Sequence, residues 1–206
     1  MPGKLLVFEG PEGSGKSTQA AKILKYIRKK KRKTVLLREP GGTAISEKIR
    51  KIILSTKNSK MSPKAELLLY EAARAQIYNE KIRVLLKKGY IVILDRFFLA
   101  TIVYQGYARG LDKKTIRELN SYTTDNIKPD LTIVYDVSMS EAARRMKKRG
   151  EKDRMEKESA KFHLKVRFGY LREAKKMKRC AVIKTDNKNL KQVFEETKAL
   201  LKKRGF

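Results

Sequence analysis

Tryptophan is absent from this 206-residue sequence, and cysteine and histidine occur once each, as Cys180 and His163. A single cysteine excludes an internal disulfide framework, and a single histidine leaves no His/Cys cluster for a structural metal. No apolar run approaches the roughly 20 residues that cross a bilayer. The opening MPGKLLVFEG lacks the long apolar segment and small-residue cleavage site of a secretory signal. The expectation is a cytoplasmic protein with no membrane partner. Acid is scarce too: 22 Asp and Glu stand against 51 Lys and Arg, a formal charge of +29. Such an excess invites nucleic acid as a partner. What is missing is a basic tail, a disordered arm or an aromatic-interleaved basic strand. RKKKRK (28–33), RRMKKRGEK (144–152) and LLKKR (200–204) fall instead near the ends of helical patterns, where cations complement the helix dipole. The charge reads as solvated helix faces that also attract anionic substrates, and nucleic acid is not the expected partner.

What is present is a regular alternation. Short β-branched runs at 5–9, 34–38, 91–95, 131–137 and 181–185 are separated by helical patterns near 16–31, 44–55, 63–88, 98–108, 112–125, 139–149, 156–177 and 189–203. Ser62-Pro63 is a cap followed by a first-turn proline, and Gly89 after Lys87-Lys88 is a stop signal. No repeat or linker divides the chain, so residues 1–206 read as one domain. Strands apolar on both faces and separated by helices predict an α/β fold: a five-stranded parallel sheet with helices on both faces. In such sheets ligands bind at the carboxyl ends of the strands. Three of the strands end in EGPEGSGKST, REPGG and DRF, which therefore share one edge.

GPEGSGKS, residues 10–17, fits G-x-x-x-x-G-K-[ST] without a mismatch, between a predicted strand and a predicted helix. Gly10, Gly13 and Gly15 let the backbone curl around an anion, and the following helix adds its positive end. The ATP-binding candidates are thus Gly10, Pro11, Glu12, Gly13, Ser14, Gly15, Lys16, Ser17 and Thr18. Lys16 is expected to reach the terminal phosphates and Ser17 to hold Mg²⁺. Hydrolases, switches, motors and kinases all carry such a loop, so the second substrate must be read elsewhere.

Asp95 follows four apolar residues and so lies at a strand end, where a carboxylate can hold the water shell of Mg²⁺. Arg96 and Arg38 place guanidinium forks at the same edge, suited to a monophosphate. A structural Asp95-Arg96 pair and an Arg38-Glu39 surface pair are the plainer alternatives. Tyr70 and Arg74, four apart, share a face of the long helix. On spacing alone Tyr70 reads as core and Arg74 as solvated; the alternative is a ring that stacks on a nucleobase and a guanidinium that bonds its edge.

Together these residues resemble the thymidylate kinase family within the nucleoside monophosphate kinases. The resemblance rests on FEGPEGSGKSTQ, REPGGT, LLLYEAARAQ, DRF followed by YQG, PDLTIVYDV and RGEKDRMEKES, in order along nearly the whole chain. It implies the P-loop kinase fold, a homodimer, and Mg²⁺-dependent transfer of the ATP γ-phosphoryl group to dTMP. By position it implies that Tyr70 stacks on thymine and that Arg74 bonds the base edge. Thr101 and Gln105 then read base and sugar, Tyr104 crowds the 2′ position, and Glu12 lies near the 3′-hydroxyl and metal. Arg38 and Arg96 would hold the acceptor phosphate. Residues 144–157 resemble a mobile lid whose Arg149 and Arg154 close over the phosphates. Some relatives place that arginine in the phosphate loop, where this chain has Gly13, so the lid is expected to supply it. Two departures stand out: Phe97 replaces the Tyr or His of DRY and DRH, and Met155 stands where some relatives carry Tyr. Thr101 as a plain helix residue and Tyr104 as core remain alternative readings.

No general base is visible and none is required, because an acceptor phosphate is already ionised; catalysis rests on alignment and charge neutralisation. Two other functions compete. A deoxynucleoside kinase also ends a strand in Asp-Arg, but needs a base that only Glu39 offers in REPGG. A basic P-loop protein switching on nucleic acid has the +29 charge in its favour and no recognition module.

Overall fold

Alternation along the first strand builds the core. The computed structural model describes residues 3–147 and 153–206. In β1 (Lys4–Glu9), Leu6 and Phe8 point to one face of the sheet and Leu5 and Val7 to the other. The first pair packs under α1 (Lys16–Lys29) and α9 (Leu190–Lys203), beside Ile23, Ile27, Val193 and Leu201. The second pair meets Ile77, Tyr78 and Ile82 from the opposite side. Each such fully buried side chain contributes about 1.5–3 kcal/mol.

The remaining strands are β2 (Thr34–Arg38), β3 (Ile91–Asp95), β4 (Leu131–Asp136) and β5 (Cys180–Lys184). Among the described residues they form one five-stranded sheet in the order β2-β3-β1-β4-β5, and every pairing is parallel. The predicted strands agree with these to within one residue at each end. The register matters for function: Arg38 lies beside Asp95 and Asp95 beside Phe8. The ends of REPGG, DRF and FEG are therefore neighbours on the central strands.

The helices follow their caps. Thr43 caps α2 (Ala44–Leu54), and Ser62 caps α3 (Pro63–Ile77), with proline in its first turn. The pattern read as one helix over 63–88 continues from α3 through a π-turn (Tyr78–Ile82) into α4 (Arg83–Lys87), where Gly89 stops it. The helix read at 98–108 is α5 (Phe98–Thr101) followed by a π-helical stretch, Ile102–Ala108. Such insertions are frequent at functional sites. Next come α6 (Lys113–Thr123), α7 (Met139–Met146) and α8 (Ala160–Ala174). No helix among the described residues is long and apolar enough to cross a membrane.

Candidate active site

The loop after β1 is built for an anion. Gly13 (φ +75°) and Gly15 (φ +84°) adopt the left-handed conformation that favours glycine. At Gly13 a Cβ would also lie 3.0 Å from the backbone of Ala142 in α7, a close contact that adds to the strain of any side chain at this position. Gly15 precedes α1 and no side chain caps that helix, which leaves its first-turn N–H groups, at Lys16, Ser17 and Thr18, for a ligand. Lys16 is 5% exposed, with Nζ 3.4 Å from the Pro11 carbonyl and 3.9 Å from Glu12. Burial and the nearby Arg96 push its pKa down.

In front of the loop opens a cleft of about 550 Å³, lined by Lys16, Ser17, Arg38, Arg50, Asp95 and Arg96, with Glu12 on its wall. Arg38 is largely exposed and pairs with Glu47 at 3.2 Å. Arg50 donates to the Pro40 carbonyl at 2.9 Å. Burial, then repulsion from Arg38, lowers its pKa. Oδ1 of Asp95 is buried and accepts no hydrogen bond. An unpaired carboxylate oxygen in the cleft that also holds the Ser17 hydroxyl is a donor set suited to hydrated Mg²⁺.

A narrower cavity of about 70 Å³ adjoins the cleft and shares Glu12, Glu39, Arg50, Arg96 and Asp153 with it. Its remaining walls include Tyr70, Thr101, Tyr104 and Gln105, with Leu54, Ala100 and Met155 as apolar surface. Four of the residues expected around base and sugar are thus brought together. Met155 takes its place by closing the cavity. Phe97 turns away from it, into the core with Leu5, Val7 and Ile77, so the hydroxyl it lacks would have had no cleft to face.

Two of the expected residues sit apart from these two spaces. Arg74 does not line the cavity. It is 2% exposed and sits behind Thr101, its Nε on Glu39 (2.8 Å) and its Nη1 on Glu71 (2.6 Å), Asn120 (2.7 Å) and Thr101 (3.2 Å). Two carboxylates draw the guanidinium inward. Arg154 does not reach the phosphate cleft. Its Nη1 pairs with Glu66 at 2.6 Å and its Nε donates to the Ile53 carbonyl at 2.7 Å. A carboxylate buried in α3 outcompetes solvent for it. Arg149 and the turn over 148–152 lie outside the described residues.

Arg96 joins the two spaces. It donates to the Gly10 carbonyl (3.3 Å), to the hydroxyls of Tyr170 and Tyr104 (3.1 Å each) and to Glu12. Burial works against its charge, but Tyr104, Glu12, Tyr170 and Glu9 more than offset this and raise its pKa. Beneath it Glu9 is fully buried, accepting from the Phe97 N–H and the Tyr170 hydroxyl at 2.9 Å each. Burial raises its pKa to about 7, against the pull of Arg96. A carboxyl raised from 4.5 on folding stabilises the protein fully below its unfolded pKa, and that contribution is lost as pH rises through about 7. Glu9→Gln keeps an acceptor oxygen for the Phe97 N–H, turns a donor toward the Tyr170 oxygen in place of the bond that hydroxyl gave, and removes the titration. Urea unfolding is expected to show the variant gaining stability relative to wild type between pH 5 and pH 8. An unchanged difference across that range would exclude Glu9 as the group responsible.

Sequence reasoning missed Arg50, Glu9, Tyr170 and Arg145. Arg145, read as a solvated lysine-like residue, donates to the Gly13 carbonyl at 3.1 Å and to Thr185, bracing the phosphate loop. Its one local signal was Glu141 four residues earlier, which holds its Nε at 2.7 Å.

A family model described as thymidylate kinase matches residues 8–197. The chain is 43% identical over 203 residues to a thymidylate kinase of Thermoanaerobacter sp. (strain X514), covering 98% of this chain and 99% of that one. It is 44% identical over 196 residues to a thymidylate kinase of Thermosipho melanesiensis, covering 95% and 96%. Among solved structures, thymidylate kinase from Ehrlichia chaffeensis superposes with a TM-score of 0.80 at 32% identity, covering 98% of this chain and 99% of that one. With nearly its whole length matched in sequence and in fold, the chain belongs to the thymidylate kinase family.

Proposed function

We propose that the protein transfers the γ-phosphoryl group of ATP to dTMP, giving dTDP and ADP. The observation that carries this reading is the pair of adjoining spaces that share Glu12 and Arg96, one open and bearing Lys16, Arg38 and Arg50 beside the phosphate loop, one narrow and aromatic. Lys16 and the N-terminus of α1 would hold the donor phosphates. Arg38, Arg50 and Arg96 would hold the acceptor phosphate, one oxygen of which attacks the γ-phosphorus as the bond to the bridging oxygen breaks and ADP leaves. Asp95 and Ser17 would hold Mg²⁺, which neutralises phosphate charge when bound. In the cavity, Tyr70 would stack on the base, Thr101 and Gln105 would read it, and Tyr104 and Glu12 would contact the sugar. Arg74 acts by fixing Thr101 and Glu39. With Arg154 engaged by Glu66, Arg149 is the lid arginine left to meet the transferring group.

A homodimer is part of this reading, supported by apolar residues exposed on α2 and α3: Ile45 at 51%, Ile52 at 47% and Leu68 at 57%. Ile45 and Ile52 are seven apart and share a stripe. Sedimentation equilibrium at twice the chain mass would bear this out; a monomer at micromolar concentration would exclude it.

The activity is tested by ADP release with ATP and Mg²⁺ against dTMP, dUMP, UMP, dCMP, dGMP, dAMP and thymidine. Turnover is expected to peak on dTMP. A peak on thymidine would instead assign a nucleoside kinase, and a peak on another monophosphate would overturn the roles given to the aromatic cavity.

A further inference from the structure

Glu66 lies within α3 and is fully buried. Its Oε1 accepts from Nε2 of Gln105 at 2.8 Å and from Nε of Arg109 at 3.1 Å. Its Oε2 accepts from Nη2 of Arg109 at 3.0 Å and pairs with Nη1 of Arg154 at 2.6 Å. Arg109 is itself tied to Glu158 at 2.6 Å. One carboxylate thus answers two guanidiniums and one amide. Two cations within hydrogen-bond distance keep it ionised despite its burial.

An ionised carboxylate only accepts. The Gln105 amide facing it must present its NH₂, so its carbonyl oxygen is turned the other way. Gln105 is 1% exposed and lines the aromatic cavity beside Thr101 and Tyr104. The polar atom it offers there is therefore an acceptor. A thymine or uracil ring carries a hydrogen on N3, whereas cytosine has a lone pair at that position. An acceptor aimed at N3 bonds the first two and repels the third.

We propose that Glu66 is a positioning residue for base selection. By fixing the orientation of the Gln105 amide, it makes the cavity take pyrimidines with an N3–H and reject cytosine. This rests on the reading of the aromatic cavity as the base site. It gives no preference between dTMP and dUMP, which share the N3–H.

Glu66→Gln tests it, because the new amide can donate as well as accept and so releases Gln105 to turn. The ratio of kcat/KM for dTMP to that for dCMP is expected to fall by about tenfold or more. The change should come through KM for dTMP, with dUMP following dTMP. A parallel fall on all three substrates, with the ratio intact, would assign Glu66 a purely structural role and overturn the proposal. Absence of dTMP turnover in the wild-type protein would overturn the broader reading instead, so the two failures are distinct. Calorimetry decides the matter if the variant does not fold. Wild type is expected to bind dTMP about tenfold or more tighter than its N3-methyl derivative, and Gln105→Met to lose most of that preference. Equal affinities in wild type, or a preference untouched in Gln105→Met, would overturn the proposal.

Discussion

Replacing Lys16 with alanine is expected to lower turnover by about a thousandfold, roughly 4 kcal/mol of transition-state stabilisation, while leaving the fold at least as stable as before. The activity loss follows from position. Lys16 opens α1, 5% exposed, and lines the cleft beside the phosphate loop. Its closest polar atoms, at 3.4 and 3.9 Å, are a carbonyl and a carboxylate held at long range. Both contacts are long for an ammonium, which leaves its donors available to phosphate. The stability side follows from the direction of its pKa. Burial, reinforced by Arg96, lowers it, so the folded state binds this proton less tightly than the unfolded chain does. A charged Lys16 therefore costs stability at neutral pH, and alanine removes that cost. Steady-state kinetics and thermal unfolding without nucleotide check both halves. Near-normal turnover would remove Lys16 from the donor site. A large fall in melting temperature would show that the lysine is structural.

Much of this arrangement is legible in the amino-acid order, and the illegible remainder has a common cause. Strands such as VILD and LTIVYD are apolar on both faces, which requires a sheet covered on both sides. The Gly-Lys-Ser spacing requires a loop, because Gly13 and Gly15 supply positive φ where the backbone turns back. These are local facts about backbone and period. The fate of an arginine is not local. Arg74 is expected at the edge of a base and Arg154 over the phosphates, yet each finds a carboxylate buried elsewhere: Glu39, next to the β2 end, for the first, and Glu66, on α3, for the second. Arg50 shows the converse. Nothing marks it within AISEKIRK, but the packing of α2 on α3 brings it to both cavities. Glu9 reads as the end of a strand, and only the fold reveals that Tyr170, 161 residues later, closes over it.

Arg96 is where the fold itself carries strain for the site, and its replacement is the second large effect. Its φ is +70°, a conformation that costs a non-glycine residue about 1–2 kcal/mol. The surroundings hold it there: its N–H bonds the Phe8 carbonyl at 2.9 Å, and its guanidinium is fixed by Gly10, Tyr104, Tyr170 and Glu12. That placement aims a five-donor fork at the boundary between the phosphate cleft and the aromatic cavity. Arg96→Ala is expected to lower kcat/KM for dTMP by about a thousandfold with a smaller effect on KM for ATP. Arg96→Lys should recover little, since an ammonium cannot reproduce the fork. Arg96→Gly should be as inactive as Arg96→Ala but more stable by about 1 kcal/mol, because glycine tolerates the backbone that alanine does not. The alanine and glycine variants also remove the largest influence opposing the burial of Glu9, so in them the pH at which Glu9 titrates should rise beyond about 7. Kinetics on the three variants together with urea unfolding from pH 5 to pH 9 separates these contributions. An active Arg96→Lys would show that charge alone suffices at this position. Equal stabilities of the glycine and alanine variants would show that the left-handed backbone carries no strain.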